Sequence, residues 1–253
     1  MRLYVEILIK ADLEALWQAT QNPARHQRWD LRFGRIERLT AQRFRYSTLG
    51  VSGIGVHTGD RHAADGSCTS ALRFGSAHPL SPIRAGAGYW RYLPTAAGVR
   101  FLTSYDYRPH VLPPRLMWWA TAWSFDRLRL WLETGRPPAR TLLQALAEAV
   151  GRTAAAALTA WLFGPLPALA VAALTVALPP LPGTPAARRC LRHPIEHPNR
   201  HPARAPLRHP IEQPRERPPC PRSSSARSAP TSAASTPSSS AASASASTAA
   251  KPA

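Results

Sequence analysis

The stretch that decides the fold of this 253-residue chain is Met117-Trp-Trp-Ala-Thr-Ala-Trp-Ser-Phe-Asp-Arg-Leu-Arg-Leu-Trp-Leu-Glu133. Its aromatic and aliphatic residues recur at helical spacing and, at about 100° per residue, fall into two apolar arcs. One arc can cover a sheet, whereas the other needs a partner: the N-terminal helices, a second copy or a membrane surface. The first arc contains Met117, Ala120, Phe125, Leu128, Trp131 and Leu132, the second Leu116, Trp119, Trp123 and Leu130, and the polar sector Asp126, Arg129 and Glu133.

Strand-like sequence precedes this helix. Leu3, Val5, Ile7 and Ile9 alternate with other residues, which predicts a strand with one buried face. Two short helices are expected at 13–20 and 24–28, followed by strands at 32–39, 43–49, 53–62, 67–75, 86–93 and 98–107. Short connections such as Asp65-Gly66 imply antiparallel neighbours. The order predicts an α+β fold in which one aromatic helix closes a sheet, a container for an apolar ligand.

The segment after this helix lacks charge. Residues 153–187 contain no Asp, Glu, Lys or Arg, and Gly164-Pro-Leu-Pro167 interrupts them. About 20 apolar residues span a bilayer as a helix, so this segment is a membrane span, a hairpin hinged at 164–167, or a soluble Ala/Pro-rich segment. The chain opens on a strand-like sequence and not on a signal-like one, so we expect it in the cytoplasm or on the cytoplasmic side of the membrane.

We therefore expect three parts: a domain at 1–137, a helical apolar segment at 138–183, and a disordered tail at 184–253 that is rich first in Pro and Arg and then in Ser and Ala. The net charge of +18 comes almost wholly from scattered arginines, which does not indicate a specific nucleic-acid partner. His193, His197 and His201 are each followed by Pro, which excludes a helical metal site. No metal and no cofactor are expected.

Familiar catalytic motifs are absent from the sequence. Gly53-x-Gly55 and Gly86-x-Gly88 lack the strand-to-helix context of a phosphate site and are interpreted as bulges or tight bends. Asp30, Asp106 and His57 are acid–base candidates, but no catalytic residue is assigned. Tyrosines offer an apolar body and a hydroxyl to a ligand. The residues expected to bind a ligand are Trp29, Tyr46, Ser70, Phe74, Tyr89, Trp90, Tyr92, Tyr105, Tyr107 and Trp123.

A family resemblance follows from three features. These are the opening strand leading into Ala11-Asp-Leu-Glu-Ala-Leu-Trp17, the phrase Asn22-Pro-Ala-Arg-His-Gln-Arg-Trp-Asp30, and the strands that end in an amphipathic helix. Over about residues 1–135 the chain resembles the START-like, Bet v 1-like (SRPBCC) superfamily, which includes polyketide cyclase/dehydrase-type proteins. The resemblance implies a helix-grip fold, in which a curved antiparallel sheet wraps around a long C-terminal helix and leaves a cavity.

The resemblance also implies a function. Members bind lipids, sterols, polyketides and other hydrophobic molecules, and a minority catalyse cyclisation or dehydration. We therefore expect a hydrophobic small molecule or lipid as partner, with a membrane as a second candidate partner. The alternatives are a cyclase/dehydrase-type enzyme and a membrane-anchored interaction domain whose cavity is filled by its own side chains. The sequence indicates no oligomeric state.

Overall fold

The computed structural model describes residues 1–81, 83–109 and 113–194. The regular elements follow the predicted order. They are β1 (Arg2–Ile9), α1 (Leu13–Gln21), α2 (Pro23–Trp29), β2 (Arg35–Arg38), β3 (Arg43–Thr48), β4 (Val51–His62), β5 (Cys68–Gly75), β6 (Ile83–Thr95), β7 (Gly98–Pro109), α3 (Pro114–Thr134), α4 (Pro138–Phe163), α5 (Pro165–Ala177) and a short 3-10 turn (Ala187–Arg189).

The strands form one seven-stranded sheet in the order β1-β7-β6-β5-β4-β3-β2, and all neighbours are antiparallel. β1 and β7 are far apart in sequence but adjacent in the sheet, with Leu3 opposite Tyr105 and Ile7 opposite Phe101. The alternating apolar residues of both strands are buried, which is the face predicted for β1. The α+β fold class is confirmed.

Helix α3 packs on this buried face. The Phe125 ring stacks on Phe101 at 4.6 Å, and the edge of Trp29 meets Phe125 at 6.1 Å. The Trp118 indole N–H donates to the Tyr4 carbonyl at 3.0 Å, which ties the helix to β1. The first predicted arc therefore covers the sheet, with Met117, Phe125 and Leu128 buried. Burial of apolar surface is the main stabilising contribution, at about 25 cal/mol per Å².

The second arc is covered along half of its length. Trp123 and Leu130 are buried, whereas Leu116 and Trp119 stay about half exposed. Arg127 connects α3 to α2 and α4. Its guanidinium donates to the carbonyls of Trp29 at 3.0 Å and Pro138 at 2.9 Å. Helix α2 and the start of α4 are thus the partners of this arc.

The polar sector of α3 is buried rather than solvated. Asp126 is fully buried and accepts hydrogen bonds from the Arg129 Nε at 2.7 Å, the Arg189 Nη1 at 2.8 Å and the Ala186 N–H at 2.8 Å. The segment 184–191, here called the return segment, continues to β1, where Leu191 and Glu6 form a bridge. The first residues of the expected tail, 184–191, thus contact α3 and β1, and residues 195–253 lie outside the described ones.

Helices α4 and α5 form a hairpin. Gly164 joins them with φ of 86°, and the N–H of Gly164 bonds to the Ala160 carbonyl at 3.0 Å. Only Pro138 and Thr141 of α4 are buried, and no residue of α5 is. Among the described residues, no helix combines the length and apolarity needed to cross a membrane.

Candidate ligand cavity

A cavity of about 720 Å³ lies between the concave face of the sheet and α3. That volume is within the roughly 300–1,000 Å³ usual for small-molecule sites. Its wall is mostly apolar and comes from α1, α2, all seven strands and the start of α3. The apolar side chains include those of Leu3, Leu31, Phe33, Ile36, Phe44, Leu72, Phe74, Ile83, Trp90, Leu116, Met117 and Trp119. Such a volume does not fit the alternative in which the domain's own side chains fill the cavity.

Glycines opposite aromatic residues create this space. Phe44 and Tyr46 of β3 pair with Gly55 and Gly53 of β4. A Cβ on Gly55 would lie 2.1 Å from the Phe44 ring, and one on Gly53 would lie 2.3 Å from the Tyr46 ring. The rings therefore lie flat over the neighbouring strand, where only glycine leaves room.

The pairing of an aromatic residue with a glycine recurs on β6. Phe74 pairs with Gly86 and Tyr105 with Gly88, and a Cβ there would lie 2.6 Å and 2.2 Å from the respective ring. The interpretation of these glycine pairs as bulges or tight bends is wrong, because they lie in regular pairing. Aromatic side chains packed across glycine line the wall of the cavity.

Five of the ten residues expected to bind a ligand line the cavity, and five do not. The lining ones are Tyr46, Phe74, Trp90, Tyr105 and Tyr107. Trp29 and Tyr92 are fully buried in the core behind the wall. Tyr89 lies on the other face of β6, and Trp123 stacks on Trp119 at 6.1 Å outside the lining. Ser70 is fully buried behind His57.

A buried ionic cluster supports the wall next to α3. The Arg32 guanidinium donates to the Asp30 carboxylate through Nε at 2.9 Å and Nη2 at 2.6 Å, and to the Thr121 hydroxyl at 3.1 Å. His26 Nε2 lies 3.2 Å from the same carboxylate. Burial alone would raise the pKa of Asp30, but the charge and hydrogen bonds of Arg32 hold it well below its usual range. Asp30 is therefore an ionised structural partner and not a free base.

His26 is neutral in this setting. Burial lowers the pKa of His26 more than Asp30 raises it. Its ring stacks on Trp29 at 4.9 Å and meets the edge of Trp90 at 5.0 Å. A neutral imidazole that donates to Asp30 keeps one nitrogen as an acceptor. His26 lines the cavity and was missed in the sequence, although its position four residues before Asp30 on a helix was a usable signal.

Three tyrosine hydroxyls supply donors for a ligand. The Tyr105 hydroxyl accepts from the Trp90 indole N–H at 2.6 Å, which leaves its own hydrogen free to donate. Burial raises the pKa of Tyr46 to about 12 and also raises that of Tyr107. The hydroxyls of Tyr46 and Tyr107 therefore remain protonated donors near neutral pH. Within the described part of the chain, the Tyr46 hydroxyl has no hydrogen-bond partner, so it is available to a ligand.

The electrostatic character of the wall is basic. Arg32, Arg38 and Arg43 line the cavity, and no Asp or Glu is found among the described residues that line it. Arg32 is neutralised by Asp30. Arg38 ends β2 and Arg43 begins β3, and both are exposed at one mouth. An anionic or strongly hydrogen-bond-accepting group is therefore favoured at that mouth over a cationic one.

A polar network closes the cavity at its α1 end. The Tyr92 hydroxyl bonds to Thr20 at 2.7 Å and to Gln21 at 2.9 Å, and His57 Nε2 lies 3.2 Å from the Gln21 oxygen. Ser70 Oγ is 2.9 Å from the same His57 nitrogen. Since Ser70 is fully buried and does not line the cavity, it cannot reach a ligand as a nucleophile. Of the three acid–base candidates, only His57 lines the cavity.

No family model matches the chain. An uncharacterized membrane protein of Bacillus subtilis, YndG, is 43% identical over 165 residues, which cover 57% of this chain and 62% of YndG. The chain thus spans less than two thirds of the curated relative that it matches.

Solved structures that match part of the chain were also found. The Aha1 dimer from Colwellia psychrerythraea is 13% identical, with a TM-score of 0.40 over 54% of this chain and 98% of that one. Ara h 8.0201 is 9% identical, with a TM-score of 0.37 over 46% and 85%. DR_A0006 from Deinococcus radiodurans is 17% identical, with a TM-score of 0.40 over 54% and 99%. Each of these likenesses covers about half of this chain.

Proposed function

We propose that the chain binds a hydrophobic small molecule or lipid in the cavity between its sheet and α3, and that it does so at a membrane. The observation that carries the proposal is the cavity of about 720 Å³ with its mostly apolar wall. An apolar wall of this extent offers a ligand many dispersion contacts. Burial of a ligand's apolar surface at about 25 cal/mol per Å² supplies the binding free energy.

The polar groups of the wall support an amphipathic ligand with an acceptor oxygen. Tyr46, Tyr105 and Tyr107 present hydroxyl donors along one face, and Arg38 and Arg43 stand at the mouth. A few polar groups in an apolar pocket fix the orientation of a ligand. We therefore propose a carboxylic acid or alcohol with an alkyl or polycyclic body, and we rank the acid above the alcohol because the lining arginines favour an anion.

The membrane part of the proposal has two supports. YndG is named a membrane protein, and it shares 43% identity with this chain over 165 residues. The α4–α5 hairpin also exposes large apolar side chains, among them Trp161 and Leu166. Monomeric soluble proteins rarely expose continuous apolar patches of this kind. The cyclase/dehydrase-type alternative stays a prediction, and His57 is the acid–base candidate that lines the cavity.

Thermal unfolding of the full chain tests the cavity proposal. We expect dodecanoate to raise the unfolding midpoint more than dodecan-1-ol, and dodecyltrimethylammonium least, all below their micelle concentrations. A ligand at about 100 times its Kd stabilises a folded protein by about 2.7 kcal/mol, which is readily measured.

Two variants make the test specific to the cavity. Ala120→Trp places an indole in the lining of α3 and should abolish the stabilisation. Leu146→Trp adds the same indole to the exposed face of α4 and should leave it intact. The proposal fails if none of the amphiphiles stabilises the chain, or if Ala120→Trp is stabilised as much as the unsubstituted protein.

A further inference from the structure

The uncharged part of the α4–α5 hairpin, residues 153–177 and here called the arm, has a length and a base that are set by the structure. Arg152 closes the base, because its guanidinium donates to the carbonyls of Thr175, Leu178 and Pro179, the last two at 3.0 and 2.9 Å. Glu148 pairs with Arg152 at 2.5 Å and accepts from the Leu181 N–H at 3.3 Å. The charges thus stop where the arm leaves the domain.

The arm is apolar on all sides. Trp161 is 81% exposed, Leu166 79% and Val176 84%, and α5 has no buried residue. A surface helix of a water-soluble domain has one apolar stripe and one polar face. A helix that is apolar all round belongs in a protein core or in lipid. The described residues provide no core around the arm.

The polar groups of the arm are satisfied from within. The hydroxyls of Thr153, Thr159 and Thr175 each donate to a carbonyl of their own helix, at 2.9, 2.8 and 2.8 Å. Hydroxyls that bond back to the helix make no demand on water. This arrangement suits hydrocarbon, where an unsatisfied polar group costs several kcal/mol in water-free surroundings.

The turn at the tip also leaves few backbone N–H groups without a hydrogen-bond partner. A helix N-terminus ordinarily leaves four N–H groups without an intrahelical partner. At the start of α5, Pro165 and Pro167 have no N–H, and the Gly164 N–H already bonds to the Ala160 carbonyl at 3.0 Å. The exposed tip therefore carries fewer orphan donors than a helix start normally does.

The lengths of the two helices in the arm match the thickness of one bilayer leaflet. At 1.5 Å per residue, residues 153–163 of α4 extend about 16 Å and the 13 residues of α5 about 20 Å. The hydrocarbon core of a bilayer is about 30 Å thick, so one leaflet contributes about 15 Å. Arg136, Arg140 and Arg188 are exposed on the domain side of the arm and carry the charge that anionic headgroups attract.

We propose that the arm inserts into one leaflet of an anionic lipid bilayer, with its tip near the midplane and Arg152 at the headgroup level. This rests on the membrane part of the proposed function and specifies it. A single-leaflet anchor keeps both ends of the hairpin, and so the cavity, on the same side of the membrane. Lipid that surrounds the base of the arm would then be close to the domain that binds it.

Sedimentation with phosphatidylcholine vesicles, with and without phosphatidylglycerol, tests insertion of the full chain. We expect binding that phosphatidylglycerol strengthens. Phe163→Glu/Leu166→Glu places two carboxylates at the tip and should weaken binding by at least about tenfold. Leu143→Glu/Leu146→Glu makes the same charge change at exposed positions of α4 before Arg152 and should leave binding unchanged.

Depth is measured with brominated lipids, which quench tryptophan fluorescence by contact. The signal of Trp161 is the difference between the chain and its Trp161→Phe variant. Deep bromines should quench Trp161 more strongly than shallow ones, and the reverse order would overturn the one-leaflet depth. Concentration-dependent dimers that the tip carboxylates dissociate, without vesicle binding, would show that a second copy covers the arm and would overturn insertion.

The two proposals fail separately. Dodecanoate stabilisation in the absence of vesicles reports the cavity, and vesicle sedimentation reports the arm. If Phe163→Glu/Leu166→Glu keeps dodecanoate stabilisation while losing vesicle binding, the variant is folded and the arm alone is impaired. If dodecanoate stabilises the chain but no vesicle binds it, the arm inference is wrong while cavity binding stands.

Discussion

Gly55→Ala tests whether aromatic rings laid over glycine create the ligand space. The new Cβ would lie 2.1 Å from the nearest atom of the Phe44 ring. Ordinary carbon contacts begin near 3.5 Å, so the ring has to retreat by about 1.4 Å into the cavity. The volume lost corresponds to one or two methylene groups of ligand, each of which contributes about 0.8 kcal/mol when buried. We therefore expect about 3- to 15-fold weaker binding, at a factor of ten per 1.4 kcal/mol.

The stability of this variant should change little. The added methyl group causes packing strain of about 1–3 kcal/mol, part of which is relieved because the ring can move into the cavity. Replacing a glycine within a strand stabilises the fold by about 0.5–1 kcal/mol, which offsets part of the remaining strain. Calorimetric titration with dodecanoate and urea unfolding measure the two quantities. Gly151→Ala is the matched control, because its Cβ meets nothing within 4 Å. Equal dodecanoate affinities in the two variants would refute the idea that the Phe44 ring borders the ligand.

The buried charges and the Cys190 thiol can also be tested. Asp30→Ala should lower the free energy of unfolding by about 3–5 kcal/mol, because it leaves the buried Arg32 cation unpaired. Asp30→Ala/Arg32→Met should lower it by much less, and equal urea midpoints for the two variants would contradict this. The pKa of Asp30 is lowered on folding, so its stabilisation is complete above its unfolded pKa of about 4 and is lost as pH falls further; Asp30→Asn should remove that acid dependence in urea titrations. Asp126→Asn should cost about 3 kcal/mol and expose the return segment to trypsin, because three donors converge on this carboxylate; an unchanged digestion rate would argue against it. Burial raises the pKa of the Cys190 thiol, so iodoacetamide at pH 8 should alkylate it only after unfolding.

The elements of the fold were predictable because their signals are local. Alternation marked the strands, and 3.6-residue periodicity marked α3 within a few residues of its ends. The same alternation separates Tyr89 from Trp90, although both were predicted to bind a ligand. They are neighbours on one strand and therefore point to opposite faces, so only one of them can line the cavity.

The remaining features depend on contacts between distant residues. The polar sector of α3 is buried because Arg189 and Ala186, some 60 residues later, come back to Asp126. The pairing of Phe44 with Gly55 depends on the register between two strands. Whether a buried aromatic such as Tyr92 lines the cavity or lies behind its wall depends on the curvature of the sheet. No periodicity within one element encodes these relations.

Native mass spectrometry of the full chain, released from detergent, shows whether a ligand occupies the cavity between the sheet and α3. We expect one apolar or amphipathic molecule bound per chain. That molecule should be absent from Ala120→Trp, whose indole occupies the cavity, and present in Leu146→Trp. A bare chain in every sample, or the same bound mass in Ala120→Trp as in the unsubstituted protein, would contradict a ligand in the cavity between sheet and α3.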